Sequence, residues 1–198
     1  MMKNLITLIF SLAVSFNSLA EFKPDFNKGI AAYREQDYET ALLHWVTLAN
    51  EGDANAQFKV GNMYDNGYGV PENDKTAVKW YTKAAEQGNA DAQFIVGVKY
   101  EFGQGVLEND KTAVKWYTKA AEQGNAGAQR FLGVMYANGE GVLTSNIKAY
   151  MWWNLAAYNG DKTGASYKDK LTKQMTNEQI AKAQELSQRC LDSGYKDC

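Results

Sequence analysis

Few residues of this 198-residue chain have the type and spacing that chemistry requires. His44 is its one histidine, beside Trp45, and nothing near it in sequence supplies a nucleophile or an orienting partner. It is expected to be a packed structural residue. Glu86 and Glu122 occupy matching positions of a repeated segment, so they belong to architecture and not to an acid–base pair. The Gly-x-Gly turns at Gly67, Gly103 and Gly139 follow helical sequence instead of a strand. They also lack the Lys-Ser/Thr that a phosphate cradle needs. Cys190 and Cys198 with a single remote histidine do not make a metal site. Trp80, Trp116 and Trp152 recur in register and are read as core residues, not as a ligand-stacking platform. The expectation is a protein without a catalytic residue, metal or cofactor.

The elements that position these residues come from a repeat. Residues 72–90 read ENDKTAVKWYTKAAEQGNA, and residues 108–126 read the same nineteen again, 36 positions on. A fixed period of that length marks units that bury their apolar faces only against their neighbours. Three units follow, at 52–87, 88–123 and 124–159, and the first two match at 27 of 36 positions. Each reads as two helices. The first begins at Asp53, Asn89 or Asn125, whose short side chains accept from free N–H groups. It carries an apolar stripe such as Ala56, Val60 and Tyr64. Gly67 and Gly69 end it, and the next N-cap is expected at Asp74. The second helix holds Ala77, Trp80, Tyr81, Ala84 and Ala85 and stops at Gly88. Glycine inside the first helix, at Gly61, Gly97 and Gly133, implies a crossing too tight for a Cβ.

The string A-x-x-x-x-G-x-x-Y-x-x-G-x-G-V, continued by A-x-x-W-Y-x-K-A-A-E-Q-G, resembles the Sel1-like repeat, a relative of the tetratricopeptide repeat. It runs through Ala56, Gly61, Tyr64, Gly67, Gly69, Val70, Ala77, Trp80, Tyr81, Lys83 and Gly88, and again through Ala92 to Gly124. The resemblance implies an all-α, right-handed solenoid of antiparallel helix pairs whose first helices line a concave groove. It also implies a protein that mediates protein–protein contacts. Some relatives staple every repeat with cysteines, which this chain does not. Residues 21–51 read as a diverged N-terminal pair and 160–198 as a closing pair with a capping-box start at Thr176 and Gln179, giving about five pairs.

Residues 1–20 look like a secretory signal peptide: Lys3, the apolar run 5–16, then Ser18 and Ala20 before a cleavage point at Glu21. Retention as an uncleaved anchor is the alternative. Removal takes away one basic residue, Lys3, and leaves 20 basic against 23 acidic residues, a net charge of −3. No basic run or nucleic-acid signature stands out; Lys75, Lys79 and Lys83 read as a solvated helix face. Export to the periplasm or beyond favours a disulfide between Cys190 and Cys198, the alternative being two free thiols in a frayed tail. No stable membrane insertion is expected after cleavage, and nothing in the sequence sets the oligomeric state.

The two near-identical units locate a candidate binding surface. All nine differences between them fall in the first helix or its loop, while the second helices are identical. Positions 55, 59, 62 and 66 lie on one helical stripe. The stripe holds Asn55, Lys59, Asn62 and Asn66 in the first unit and Asp91, Ile95, Val98 and Phe102 in the second. In the third it holds Gly127, Phe131, Val134 and Asn138. Ile95, Val98, Phe102, Phe131 and Val134 form an apolar strip flanked by Lys59, Asp91 and Lys99, suited to a partner helix or peptide. The competing reading is recent duplication with some of these residues buried against the next unit. The functional expectation is a non-catalytic exported scaffold or adaptor. Its alternative is a periplasmic immunity protein that neutralises an antibacterial effector such as a lipase.

Overall fold

The structure, a computed structural model, describes residues 22–198, so the expected signal segment lies outside the described residues. These residues form ten helices and no strand: α1 (Phe26–Arg34), α2 (Tyr38–Asn50), α3 (Ala54–Asn66), α4 (Asp74–Glu86), α5 (Ala90–Glu101), α6 (Asp110–Ala121), α7 (Ala126–Asn138), α8 (Asn146–Tyr158), α9 (Lys162–Thr172) and α10 (Asn177–Asp192). Each helix packs on the next through α9, and α10 returns to pack on α8. The fold is an all-α solenoid of five helix pairs. No described helix is long and apolar enough to cross a membrane.

The helix starts are local events. Asp53, Asn89 and Asn125 accept from the N–H groups of Ala56, Ala92 and Ala128 at 2.7, 2.8 and 2.9 Å. The second helices are capped one residue earlier than expected, by Asn73, Asn109 and Ser145. Asp74 is instead the first helical residue, where a carboxylate favours the positive end of the helix dipole. The capping box at Thr176 and Gln179 is formed.

The tight crossing within each repeat is real, and a buried aromatic ring closes it. A Cβ on Gly61 or Gly97 would stand 2.7 or 2.5 Å from the ring of Tyr81 or Tyr117, which are buried. In the third repeat Trp153 takes this place over Gly133, and its indole N–H donates to the Arg130 carbonyl at 3.0 Å. The N-terminal pair repeats the arrangement with Gly29 under Trp45, whose N–H reaches the Phe26 carbonyl at 3.2 Å. Trp80 and Trp116 are therefore not central core residues. They are half-buried at unit boundaries, with the amines of Lys83 and Lys119 at 4.2 and 4.3 Å from their ring centroids. Of the three periodic tryptophans only Trp152 is buried.

A polar ladder runs within each unit and across to the unit before it. Gln87 and Gln123 donate to Gln57 and Gln93, each at 2.7 Å, and Asn159 donates to Gln129 at 2.9 Å. Gln57, Gln93 and Gln129 are buried and donate in turn to the carbonyls of Ala49, Ala85 and Ala121. Buried amides are thus satisfied across each joint, which fixes the stacking register.

At the C-terminus Cys190 and Cys198 are disulfide-bonded. The bond holds the tail so that the Tyr195 hydroxyl donates to Asn159 at 2.9 Å, at the end of the ladder. The closed loop spans eight positions. Cys198→Ser is expected to lower stability by about 2 kcal/mol and the melting temperature by about 5 °C. Thermal melts with and without reductant check this: the wild type should fall to the variant's value on reduction, and the variant should not move.

Candidate functional site

The surface picked out by comparing the units lies on α3, α5 and α7, whose opposite faces are buried through Ala56, Val60 and Met63, Ala92 and Val96, and Ala128, Leu132 and Met135. On α3, Asn55 and Asn66 are exposed and Lys59 and Asn62 half-buried. Asn55 accepts from Asn89, the N-cap of α5, at 3.1 Å, and Asp91 accepts from Asn125, the N-cap of α7, at the same distance. Those two positions therefore also link successive units. The Lys59 amine lies 5.9 Å from the Trp45 ring centroid, and Asn66 donates back to the Asn62 carbonyl. On α7, Asn138 is exposed and donates to Glu140 at 3.1 Å.

The apolar strip divides. Phe102 is 56% exposed and stands free. Ile95, Val98, Phe131 and Val134 are half-buried and pack on the cores of adjoining units. Phe131 meets Tyr117 at 5.3 Å and Phe94 at 5.6 Å between centroids, with the Arg130 guanidinium 4.6 Å over its ring. The strip thus presents one projecting aromatic on a shelf of partly covered side chains. Leu107 and Leu143, each 90% exposed, add two projecting apolar groups from the loops after α5 and α7. Leu107 was visible in the unit comparison as a difference from Pro71, but it lay off the helical stripe.

Lys99 is corrected outright. It is 6% exposed and bridges Asp65 of α3 at 2.5 Å and Asp74 of α4 at 2.8 Å, so it does not flank the strip. Burial alone would pull its ammonium down. Hydrogen bonds and charge from the two carboxylates outweigh that and hold it above its ordinary value. The same bond to Lys99 lowers Asp74. At the next joint Met135 takes the place of Lys99, and Glu101 has no such cation. Glu101 accepts from the Tyr117 hydroxyl at 2.5 Å, and burial pushes its carboxyl up despite that bond. Burial, then the hydrogen bond and charge of Glu101, drive the Tyr117 phenol up in turn.

His44 is buried, and its Nδ1 accepts from the Asp25 N–H at 3.1 Å, with the Phe22 ring 4.9 Å away. Among the described residues no group of His, Cys, Asp and Glu is arranged to hold a metal ion.

The family model described as Sel1 repeat matches residues 54–89, 90–125 and 126–161, the same 36-residue period in a frame shifted by two. No curated protein matches the chain. Among solved structures, a Sel1 repeat protein from Oxalobacter formigenes is 40% identical with a TM-score of 0.70, over 73% of this chain and 59% of that one. A protective antigen of uropathogenic Escherichia coli, c5321, is 32% identical with a TM-score of 0.72, over 79% of this chain and 34% of that one. The chain thus spans less than two thirds of either protein. Cysteine rich protein B of Helicobacter pylori, 18% identical with a TM-score of 0.54 over 66% of this chain and 94% of its own, shares the fold. With three matched units covering more than half of its length, the chain belongs to the Sel1 repeat family.

Proposed function

We infer that this protein is an exported, non-catalytic scaffold that binds a protein or peptide along the uncovered face of α3, α5 and α7. The observation that carries the reading is the segregation of sequence change. The second helices of the first two units are identical, whereas the first helices and loops differ at nine positions, among them Asn66 against Phe102 and Pro71 against Leu107. A fixed framework with a varied, partly apolar lining is what a peptide-binding solenoid requires. The family's role in protein–protein contacts supports the class of function, and the Cys190–Cys198 disulfide is compatible with an oxidising compartment. The site comprises Phe102, Leu107 and Leu143 as projecting groups, Ile95, Val98, Phe131 and Val134 as shelf, and Asn55, Lys59, Asn62, Asn66, Asp91 and Asn138 as polar rim.

A crosslinked pull-down from the native envelope fraction tests this, with wild-type and Phe102→Ser protein as bait. Phe102→Ser is expected to lose the captured partner with a melting temperature within about 1 °C of wild type, since an exposed side chain contributes little to folding. Phe131→Ala, by contrast, is expected to cost about 2 kcal/mol of stability through lost packing on Tyr117 and Phe94, so it is unsuitable as a binding probe. Equal capture by both baits would remove the site from α5. Capture of a single enzyme in a tight one-to-one complex would make the protein an inhibitor of that enzyme, the immunity role.

A further inference from the structure

The second helices carry an outer face that this chain covers only once. Positions 79, 80 and 83 of α4 are Lys79, Trp80 and Lys83, and α6 repeats them as Lys115, Trp116 and Lys119. The same positions of α8 are Met151, Trp152 and Leu155. There α10 packs against α8, and its Leu186, Cys190 and Leu191 complete the cluster that contains those three side chains. Gln184 of α10 also donates to the Tyr150 hydroxyl at 3.4 Å. Trp152 is only 4% exposed under this cover, whereas Trp80 and Trp116 stay half-buried with lysines over their rings. A shallow depression of about 420 Å³ runs along α6 past Thr112, Lys115, Trp116 and Lys119.

The charge on this open face is of one sign along its centre. Lys75, Lys79 and Lys83 fall at i, i+4 and i+8, one stripe of α4, and Lys111, Lys115 and Lys119 repeat the stripe on α6. All six are exposed, and none belongs to an ion pair among the described residues. Acidic residues stand only at the stripe ends, Glu86 and Glu122 among them. We propose that the outer face of α4 and α6 docks an acidic amphipathic helix of a partner protein, in the place that α10 takes on α8. The precedent within the chain fixes the occupant as a helix. The tryptophans supply the apolar seat, and the lysine stripes select carboxylates on the flanks of the incoming helix. A polyanion is disfavoured because the chain as a whole is acidic, with a formal net charge of −2. This face is separate from the α3, α5 and α7 surface, so either assignment can fail alone.

The probe is a fluorescein-labelled synthetic helix of 16 residues, the length of α10, with its packing positions copied from Ala183, Leu186, Ser187 and Leu191 and its flanks made glutamate. Anisotropy is measured on the full protein, on Phe102→Ser, and on a variant carrying Lys79→Glu, Lys83→Glu, Lys115→Glu and Lys119→Glu. A companion variant with the same four lysines changed to glutamine serves if the reversal disturbs the melting curve. Saturable binding is expected that the lysine changes weaken by about tenfold or more and that salt weakens in parallel, with Phe102→Ser unchanged. Absence of saturable binding, or binding indifferent to the lysine changes, would overturn the proposal. Binding of heparin in place of the peptide would overturn it in favour of a polyanion surface.

Discussion

Replacing Gly105 with alanine is expected to destabilise the protein by about 3 kcal/mol, whereas the same change at Gly103, two residues earlier, is expected to cost about 1 kcal/mol. Both glycines have left-handed backbones, φ 73° and 65°, so both substitutions carry the strain of an L side chain in that region. They differ in what the new methyl meets. At Gly103 the nearest atoms are 3.5 Å away, in ordinary contact. At Gly105 the methyl would stand 2.6 Å from the carbonyl carbon and oxygen of Asp74, backbone at the start of α4 that cannot swing aside. The loop of one unit is thus pressed onto the second helix of the unit before it. Gly141 stands in the same relation to Asp110, also at 2.6 Å, and its alanine variant should behave like that of Gly105. Urea unfolding of the three variants checks this. Equal losses at Gly103 and Gly105 would show that the loops are not in contact with the preceding unit.

Lys99→Met is expected to cost about 3 kcal/mol at neutral pH, the range for removing one partner of a buried ion pair. Asp65 Oδ1 is buried with no neutral donor, so the Lys99 ammonium is its counter-charge. Methionine matches the residue that the third unit carries at this position, Met135, and keeps the packing volume close. The pH dependence follows from the directions of the shifts. Asp74 is lowered from 3.8, so its contribution is present above that value and is lost as pH falls through the lower folded value. Lys99 is raised from 10.5, so its contribution is complete below that value and is lost as pH rises through the higher folded one. The penalty of Lys99→Met should therefore be flat across neutral pH and begin to shrink below about pH 4, as Asp74 starts to bind a proton in the unfolded chain before it does in the folded wild type. Unfolding free energies of wild type and variant from pH 3 to 9 are the measurement. A penalty that persists unchanged at pH 3 would make the loss one of packing and not of charge.

These two sites show which parts of the structure were legible in the sequence. Helix starts such as Asp53 and Asn89 were readable because a cap is set by the three residues that follow it. The tight crossings were readable from Gly61, Gly97 and Gly133, because a glycine in a helix interior needs a reason. Which ring filled them was not: Trp80 and Tyr81 are neighbours in sequence, and only the rotation of α4 against α3 decides that Tyr81 faces Gly61 while Trp80 faces a unit boundary. Trp152 is buried although Trp80 and Trp116 are not, because α10 folds back over one second helix alone. No periodic argument can see an end effect. Lys99 was misplaced for a related reason. Its carboxylates, Asp65 and Asp74, are contributed by the preceding unit, and adjacency in the stripe of α5 says nothing about what that unit presents. The candidate surface was half legible. The comparison of units found Phe102 and located the stripe, but whether Val98 or Phe131 was open or covered depended on the stacking of α5 against α7.

The central claim, that the protein binds a protein partner through the face of α3, α5 and α7, is tested most directly by site-specific photocrosslinking in the native cell. A photoreactive phenylalanine analogue is placed at position 102, where the native side chain is exposed, and separately at position 178, an exposed site on α10. The account predicts a discrete adduct from position 102 and none from position 178. An adduct from position 178 alone, or none from position 102, would contradict it.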